Sequence, residues 1–483
     1  MASAIIVGAG IGGLAAAMDL VAKGVSVDVF ESHSRVGGKA GISMSDGVAF
    51  DTGPSILTMP DVFDALFDRC GQTFRDRVSL VVPSPVFRYV YPDDVSVDVH
   101  LALEDTLDSV ADSLGTDARD QLAAFLKQSK KIWDIAGPQF VYGPAPTVGH
   151  VLSLGPAAWL SMTGIDAHRT MLGAIRKTVK DRHLRWLLAR YATYNGSDPR
   201  TAPATLNCIA WVELGLGGYG VSGGMHALTV AMADVIREQG GRIHLNAPVS
   251  QVLTDNNRAV GVRVHDTEHL ADAVIINADV AHLIADLLPR RLPTPKTERS
   301  TSGFTAVVRS RSRPERAAHT VVFPADYDAE FADMFDARRP PQQPTVYACA
   351  QSIAHERPGW ADAEPVFLMA NAPATDEDVD YAALREQVMS RAIAAGLVSA
   401  DEPVVWERTP SDLAAQYPRT GGAIYGAAST DRFAAFRRPN NRTSVPGLFL
   451  ASGSAHPGGG VPLCALSGIQ AAKQVLRDVT TAR

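Results

Sequence analysis

The amino-acid sequence predicts an α/β protein in which a nucleotide-binding domain alternates along the chain with a second, α+β domain. Residues 4–31 have the order strand, glycine turn, helix and strand, and residues 447–475 have the order strand, glycine turn and helix. The chain between them alternates between α/β and mixed patterns, which indicates that each domain is assembled from separate segments. We assign residues 1–80, 218–286 and 437–483 to the nucleotide-binding domain, and residues 81–217 and 287–436 to the other domain.

The first element is a short apolar strand that is followed directly by three glycines. Residues 4–7 read A-I-I-V, and Gly8, Gly10 and Gly13 then have the G-x-G-x-x-G spacing. The first glycine of such a unit makes a tight turn, the second lets backbone approach a pyrophosphate, and the third lets helix and strand pack closely. The helix that follows directs N–H groups and its positive dipole end at that phosphate.

The next strand, residues 25–30, is followed by an acidic residue, Glu31, which lies 18 residues after Gly13. A carboxylate at this place accepts hydrogen bonds from a ribose 2′-hydroxyl and would repel a 2′-phosphate. The complete unit therefore predicts an adenine dinucleotide, either FAD or NAD rather than NADP.

Two further turns follow in the same segment. Residues 35–41 read R-V-G-G-K-A-G, and we expect this loop to cover the dinucleotide because it comes just after Glu31. Lys39 is its best placed charge for a phosphate or a ribose. Residues 50–60 read F-D-T-G-P-S-I-L-T-M-P, a strand end and a turn rich in glycine and proline. A turn of this kind brings backbone N–H groups against a flat ring.

The second domain begins with a hairpin pattern at residues 86–100, where aromatic residues alternate before a P-D-D turn and valines alternate after it. Residues 121–133 place their apolar side chains on one helical face, so we predict a helix there. In the second pass through this domain, we predict strands at residues 304–309 and 366–370.

The nucleotide-binding pattern returns in the middle of the chain and again near its end. Residues 273–277, A-V-I-I-N, predict a buried strand that ends at polar Asn277. Residues 447–452 predict another apolar strand, which runs into the loop G-S-A-H-P-G-G-G-V-P at residues 453–462 and then into a helix. A glycine loop before a helix again forms a site for an anion or a dipole. Two such turns at opposite ends of the chain suit one extended ligand, which favours FAD over NAD.

Composition and charge argue against several other classes of protein. The 483 residues are 46% hydrophobic and 20% charged, as in a soluble globular protein, and the net charge of −7 disfavours nucleic-acid binding. The four cysteines form no C-x-x-C pair, so we predict a reduced, cytosolic chain with neither a metal site nor a disulfide framework. No segment supplies the ~20 uninterrupted apolar residues that span a bilayer. Residues 151–165 come nearest, as a buried connection or as a contact with a membrane interface.

Longer motifs resemble those of the bacterial-type carotenoid desaturases, in the glutathione-reductase-like FAD superfamily that also contains the amine oxidases. These motifs cover nearly the whole chain: V-G-A-G-I-G-G-L, G-G-K-A, F-D-T-G-P-S-I-L-T-M-P, R-Y-A-T-Y-N-G-S-D-P-R-T-A-P-A-T-L, G-G-M-H-A-L and G-S-A-H-P-G-G-G-V-P. Within that family the chain is most similar to the hydroxyneurosporene and methoxyneurosporene desaturases, which act on 1-hydroxy or 1-methoxy acyclic carotenoids of purple photosynthetic bacteria. The resemblance implies a glutathione-reductase-like, FAD-binding Rossmann domain with an interleaved α+β substrate domain.

The resemblance also implies a set of FAD-binding residues, ordered here by the part of the cofactor that they approach. The ADP half is held by Gly8, Gly10, Gly13, Glu31, Gly38 and Lys39, with backbone groups of Val249 on the adenine side. The isoalloxazine lies near Gly53, Pro54 and Ser55. The ribityl chain and flavin edge lie near Gly453, Ser454, Val461 and Pro462. Lys39 stands where many members have arginine, which keeps the charge but not a bidentate contact.

The implied reaction removes a hydride from one allylic carbon, which FAD accepts, and a proton from the neighbouring carbon. His456 is the titratable group closest to the flavin loop, and it either accepts that proton or only shapes the turn before Pro457. Arg190 and Tyr191 either contact an oxygen of the substrate or brace the domain interface. Because a polyene offers few polar groups, we expect a tunnel lined by apolar side chains.

A polyene is dissolved in the bilayer, so we expect a cytoplasmic protein that is peripherally associated with the inner membrane through residues 151–165. Three alternative functions remain open from the sequence: a phytoene desaturase, a flavin amine oxidase and a non-catalytic relative such as the prenyl-binding Rab GDP dissociation inhibitors. The sequence leaves the electron acceptor that reoxidises FAD unidentified.

Overall fold

A computed structural model describes residues 2–147, 163–289, 297–313 and 315–481. Its β-strands are, in chain order, β1 Ser3–Val7, β2 Ser26–Phe30, β3 Ile42–Ser45, β4 Val48–Asp51, β5 Leu80–Val81, β6 Phe87–Val90, β7 Ser96–Val99, β8 Gly220–Val221, β9 Arg242–His244, β10 Val249–Asp255, β11 Arg258–Val264, β12 Thr267–Leu270, β13 Ala273–Ile276, β14 Ser302–Arg311, β15 His319–Val322, β16 Val346–Ala350, β17 Ala363–Ala372, β18 Val404–Arg408 and β19 Leu448–Leu450.

The α-helices are α1 Ile11–Val21, α2 Asp61–Arg69, α3 Phe74–Arg77, α4 Leu103–Leu114, α5 Thr116–Ala136, α6 Met171–Thr178, α7 Arg182–Ala189, α8 Cys208–Leu214, α9 Met225–Glu238, α10 Val280–His282, α11 Tyr327–Phe331, α12 Gln351–His355, α13 Ala382–Ala394, α14 Pro410–Gln416, α15 Ala434–Arg437 and α16 Val461–Thr481. Short 3₁₀-helical or π-helical turns cover Gly137–Val141, Thr163–Ile165, Arg190–Asn195, Ala204–Asn207, Leu283–Leu287 and Ala332–Asp336.

The nucleotide-binding domain is built on a five-stranded parallel sheet with the strand order β19-β13-β1-β2-β9. Its strands are short and almost wholly apolar because both faces are covered, as is usual for a parallel sheet. Helices α1, α9 and α16 cover one face, and the antiparallel sheet β10-β11-β12 covers the other. The predicted α/β fold class is confirmed. The domain boundaries stay predictions, although the sheet does draw its strands from three distant parts of the chain.

The two terminal segments meet through helices α1 and α16. Every residue of α1 is buried, and its one charged side chain, Asp19, is paired with Arg69 at 3.1 Å. A Cβ atom at Gly468 of α16 would lie 2.1 Å from the carbonyl oxygen of Gly12. Glycine at this crossing lets the two helix backbones touch, which brings the chain's last helix onto its first.

The second domain contains a seven-stranded mixed sheet with the order β18-β14-β17-β16-β15-β6-β7. The predicted hairpin is confirmed by the antiparallel pair β6 and β7, and the predicted helix at residues 121–133 is confirmed by the longer α5. One face of the sheet packs on helices α4 to α8 and on the turn Arg190–Asn195 around a large aromatic core. This packing places that turn beside the nucleotide-binding domain.

Among the helices of the described residues, none combines the length and the apolarity that crossing a bilayer requires. Nearly all of the stretch at residues 151–165, which the sequence proposed as a membrane contact, lies outside the described residues.

Candidate functional site

The two glycine turns lie against each other, although the sequence separates them by more than four hundred residues. A Cβ atom at Gly12, where α1 begins, would lie 2.2 Å from the carbonyl oxygen of Ala451, which directly follows β19. A Cβ atom at Gly13 would lie 2.1 Å from the carbonyl oxygen of Gly8. Helix and strands therefore meet with no room for any side chain, as the glycine spacing predicts.

Asn277, at the end of β13, joins the two turns. Its Oδ1 atom accepts a hydrogen bond from the N–H of Gly10 at 2.9 Å, and its Nδ2 group donates to the carbonyl oxygen of Ala451 at 2.5 Å. The sequence had indicated only that a polar residue ends a buried strand. That signal was present, but it did not identify the two backbone groups that this side chain binds.

The buried carboxylate of Glu31 holds the first turn in shape. Its Oε2 atom accepts from the N–H of Ala9 at 2.7 Å, and its Oε1 atom accepts from the N–H of His33 at 2.9 Å. Gly8 has a φ of +102°, which other residues rarely adopt, and no side chain of the described residues caps the N-terminus of α1. An uncapped helix end behind a glycine turn, with a carboxylate beside it, fits the pyrophosphate and ribose of a dinucleotide.

The loop that contains Gly38 and Lys39 lies next to this turn. The N–H of Gly37 donates to the carbonyl oxygen of Ala9 at 2.8 Å, and a Cβ atom at Gly38 would lie 3.3 Å from the Cα of Gly10. The loop therefore packs on the glycine turn, and its predicted place over the dinucleotide stays a prediction.

Lys39 points away from the helix end. Its Nζ donates to the carbonyl oxygens of Ala423 and Ile424 at 2.8 and 3.0 Å, and it lies 5.3 Å from the ring centre of Tyr417. Burial lowers the pKa of Lys39, partly offset by Asp279. The ammonium group therefore ties the nucleotide-binding domain to residues 423–424, and its predicted contact with FAD stays a prediction.

The turn at Gly53, Pro54 and Ser55 is anchored from both sides. A Cβ atom at Gly53 would lie 1.9 Å from the carbonyl oxygen of Lys39, so this turn packs directly on the preceding loop. Ser55 is buried and lies beside Tyr347 of the seven-stranded sheet. The turn thus reaches from the glycine loops to the second domain, and its predicted contact with the isoalloxazine ring stays a prediction.

Val249 begins β10 and packs against the apolar cluster that contains Phe30. The segment before it runs beside Glu31, because the N–H of Ala247 donates to the carbonyl oxygen of Glu31 at 2.8 Å. The start of β10 is therefore held close to the backbone of Glu31, and the predicted contact of Val249 with the adenine side stays a prediction.

The C-terminal loop is close to the same helix ends. The hydroxyl of Ser454 accepts from the N–H of Val280 at 3.0 Å, and a Cβ atom at Gly453 would lie 3.3 Å from the Cα of Gly459. Val461 and Pro462 begin α16, and Gly460 before them has a φ of +116° with open space where a Cβ would lie. This loop presents backbone and a helix N-terminus, which suits the ribityl chain and the ring edge.

His456, for which the sequence left open either proton acceptance or a role in shaping the turn, is buried in this loop. Its Nε2 atom is hydrogen-bonded to the carbonyl oxygen of Gly143 at 3.0 Å. Burial lowers the pKa of His456 to about 4, so the ring is neutral near pH 7 and is a weak base there. Its contacts fit the alternative, a side chain that fixes the loop against residue 143.

Arg190 lies in the second domain, buried beneath the seven-stranded sheet. Its Nη1 donates to the hydroxyls of Tyr194 at 2.9 Å and Tyr89 at 3.4 Å. The rings of Phe87, Tyr89, Tyr194 and Tyr347 surround the guanidinium, 5.0 to 5.9 Å from ring centre to Cζ. Tyr191 instead donates to Glu213 at 2.9 Å. The structure thus brings the two predicted residues into one polar cluster with Glu213, a residue that the sequence did not indicate.

The fold and the site are those of an FAD-dependent oxidoreductase, and the glycine turns from both ends of the chain meet where a dinucleotide would fit. Residues 11–476 match the family described as "Flavin containing amine oxidoreductase". The chain belongs to this family, which confirms the prediction of FAD.

Individual relatives agree with the resemblance seen in the sequence. A hydroxyneurosporene desaturase of Rubrivivax gelatinosus is 32% identical over 489 residues, which cover 98% of this chain and 93% of that protein. A 4,4'-diapolycopene oxygenase of Methylomonas sp is 32% identical over 492 residues, 98% of this chain and 97% of that protein. Among solved structures, a putrescine oxidase has a TM-score of 0.65 at 17% identity and covers 99% of both chains, which supports the fold alone.

Proposed function

We propose that the protein catalyses the FAD-dependent desaturation of an acyclic carotenoid, and specifically the 3,4-desaturation of a 1-hydroxy or 1-methoxy carotenoid such as 1-hydroxyneurosporene. The observation that carries the proposal is the meeting of both glycine turns at one site, which also borders the polar cluster around Arg190. The hydroxyneurosporene desaturase of similar length and sequence supports the choice of substrate class.

The residues of the site have separate tasks in this proposal. When bound, FAD supplies the acceptor for the hydride that leaves an allylic carbon. The N-termini of α1 and α16 and the carboxylate of Glu31 hold the dinucleotide, while Asn277 keeps the two turns in register. His456 fixes the C-terminal loop through Gly143. We assign His456 a positioning task, since a buried imidazole with a low pKa is poorly suited to take up a proton near neutrality.

The polar cluster disfavours the amine oxidase alternative. A protonated amine would lie beside the buried guanidinium of Arg190, and the neighbouring Glu213 offers little compensating charge because burial raises the pKa of its carboxyl group. Like charges at short distance in a poorly solvated interior repel strongly. A neutral substrate avoids this repulsion.

A carotenoid substrate also requires access to a bilayer, so we propose peripheral association with the inner membrane. In addition to the contact predicted for residues 151–165, we propose a second contact at a pair of exposed aromatic side chains, Phe433 at 51% and Phe436 at 38%. Arg432 and Arg437 flank them, and this combination suits an anionic lipid surface. Flotation with vesicles that contain phosphatidylglycerol tests the association.

For that flotation experiment, a Phe433→Ser and Phe436→Ser double variant and a variant with serines in residues 151–165 should each weaken recovery with the vesicles. Leu270→Ser, on the three-stranded sheet of the nucleotide-binding domain, removes an even more exposed apolar side chain (70%) and should have no effect. Unchanged recovery of both membrane variants would exclude these surfaces.

The proposed activity is tested by incubating the purified protein with separate carotenoids and separating the products by chromatography. We expect 1-hydroxyneurosporene to gain one double bond at the hydroxylated end, and phytoene to be left unchanged. Conversion of phytoene instead would assign the chain to the phytoene desaturase alternative. An oxygenated product would instead assign an oxygenase activity to the chain, the activity for which the Methylomonas relative is named.

A further inference from the structure

Arg190 is a buried cation that forms no ion pair at contact distance with a carboxylate of the described residues, although Glu213 is near enough to interact with it electrostatically. Its exposed fraction is 8%, and its two hydrogen bonds among the described residues go to the neutral hydroxyls of Tyr194 and Tyr89 through one nitrogen, Nη1. The N–H groups on Nε and Nη2 therefore have no acceptor within the described chain. Burying a charge with unfilled hydrogen-bonding capacity is costly, and a bound ligand or an ordered water would remove that cost.

Glu213 supplies a second unsatisfied group in the same cluster. Its Oε1 atom accepts from the Tyr191 hydroxyl at 2.9 Å, whereas Oε2 is buried and has no partner among the described residues. The hydroxyl of Tyr194 lies between the two groups, since it is hydrogen-bonded to Arg190 and also faces the Glu213 carboxyl. Unfilled hydrogen-bonding capacity on Arg190 and on Glu213 thus lies on either side of the Tyr194 hydroxyl, in an interior lined mainly by aromatic side chains.

The cluster lies between the two turns that approach the flavin ring. Tyr347, whose ring centre is 5.9 Å from Cζ of Arg190, lies beside Ser55 in the ring-facing turn. On the other side, the Cα of Tyr425 would lie 2.6 Å from a Cβ atom at Gly459 of the C-terminal loop, and the charge of Arg190 acts on the Tyr425 hydroxyl. A group bound by Arg190 is therefore next to the reacting part of the substrate.

We propose that Arg190 and Glu213 form a binding site for a neutral oxygen at the end of a long apolar substrate, so that this oxygen sets which carbons face the flavin. The inference rests on the proposed function. In a 1-hydroxy chain only three covalent bonds separate the oxygen from carbon 3. A site that binds this oxygen therefore has to border the flavin ring. The observed position of the cluster meets this requirement.

The chemistry of the two groups predicts a rank order of ligands. A hydroxyl accepts a hydrogen bond from Arg190 and donates one to the free oxygen of Glu213, whereas a methoxy oxygen can only accept. A chain without oxygen would leave both protein groups unsatisfied, which penalises its binding. Affinity should therefore fall from the hydroxylated to the methoxylated to the unsubstituted polyene.

The test measures binding of 1-hydroxyneurosporene, 1-methoxyneurosporene and neurosporene by quenching of tryptophan fluorescence, together with kcat and KM for each. In the wild-type holoenzyme we expect at least about tenfold weaker binding of neurosporene than of the hydroxylated chain. Equal affinity and equal kcat/KM for all three would overturn the oxygen site while leaving desaturation intact. Failure to bind or convert any polyene would overturn the proposed function and the inference with it.

Variants separate a ligand-binding role from a structural one. Arg190→Met should remove the preference for both oxygenated chains, while Glu213→Leu should remove only the preference of hydroxyl over methoxy. Tyr194→Phe tests the link between them and should reduce both preferences. Its control is Tyr91→Phe, since the buried Tyr91 hydroxyl donates to the His183 carbonyl at 2.9 Å, outside the cluster. Variants that keep their flavin and the wild-type order of affinities would show that the cluster is only structural.

Discussion

Asn277 offers a sharp test of how the two glycine turns are held together. In Asn277→Ala, the N–H of Gly10 loses the acceptor at 2.9 Å and the carbonyl oxygen of Ala451 loses the donor at 2.5 Å. Each hydrogen bond lost in a poorly solvated site costs about 1 to 1.5 kcal/mol, so the two together cost about 2 to 3 kcal/mol. Because both groups belong to turns that approach FAD, we expect most of this loss to appear as weaker cofactor binding, about 30- to 100-fold.

The measurement is a titration of the apoprotein with FAD, followed by the quenching of flavin fluorescence, beside unfolding of the apoprotein in urea. Asn207→Ala is a matched control, because Asn207 is also buried and its side chain donates to a backbone carbonyl, that of Met171, in the second domain. The control should lower stability without changing FAD affinity. FAD affinity within about twofold of wild type in Asn277→Ala would refute the bridging role.

Three further predictions follow from single contacts. In Gly468→Ala, the new Cβ atom would lie 2.1 Å from the carbonyl oxygen of Gly12, so helices α1 and α16 must move apart. We expect this variant to lose FAD during gel filtration. Full retention of FAD would contradict the close contact between the two helices. The unfolded state binds more protons than the native state between pH 7.5 and 5, because burial lowers the pKa of His456 to about 4 from the usual 6.5. The free energy of unfolding should therefore fall by about 2 kcal/mol between pH 7.5 and pH 5. His456→Gln should remove this part of the pH dependence, measured by urea unfolding at the two pH values. An unchanged pH dependence in the variant would argue against burial of a neutral ring. Asp51→Ala leaves Arg357, its buried partner at 3.0 Å, without a counter-charge and should cost about 3 to 5 kcal/mol in urea unfolding; a loss below about 1 kcal/mol would mean that the pair is solvated.

Parts of the structure that depend on local sequence were predictable. The glycine spacing at Gly8, Gly10 and Gly13 requires a particular turn and a close helix, and the structure has both. The alternating hairpin and the amphipathic helix α5 were predictable for the same reason, since their periodicity is fixed by the side that faces the core. The strand predicted at residues 304–309 is extended at both ends in β14, because the ladder with β17 pairs every residue from Ser302 to Arg311.

Features that depend on distant partners were not predictable from one sequence. Asn277 bonds to groups 267 and 174 residues away, and no local pattern marks such a pairing. Lys39 was expected at a phosphate or ribose because of its place in the loop, but the carbonyls that hold its ammonium group come from the far end of the other domain.

The same limit applies to His456 and to the cluster at Arg190. The expected proton acceptor relied on the ordinary pKa of imidazole, and burial against residue 143 could not be read from the residues around it. An apolar tunnel was expected for a polyene, whereas the interior beside the turns contains Arg190 and Glu213. Arg190 begins the turn Arg190–Asn195 and Glu213 lies in helix α8. Only the tertiary packing brings the two side chains into one cluster.

The central claim is that one FAD, held between two turns from opposite ends of the chain, receives the hydride from an oxygenated polyene. It is tested most directly by mixing the purified protein with 1-hydroxyneurosporene under anaerobic conditions while recording the flavin and polyene absorption bands. The account predicts that the oxidised flavin band bleaches as one equivalent of the longer polyene forms. A protein that purifies without flavin, or a flavin band that stays unchanged while the polyene is bound, would contradict it.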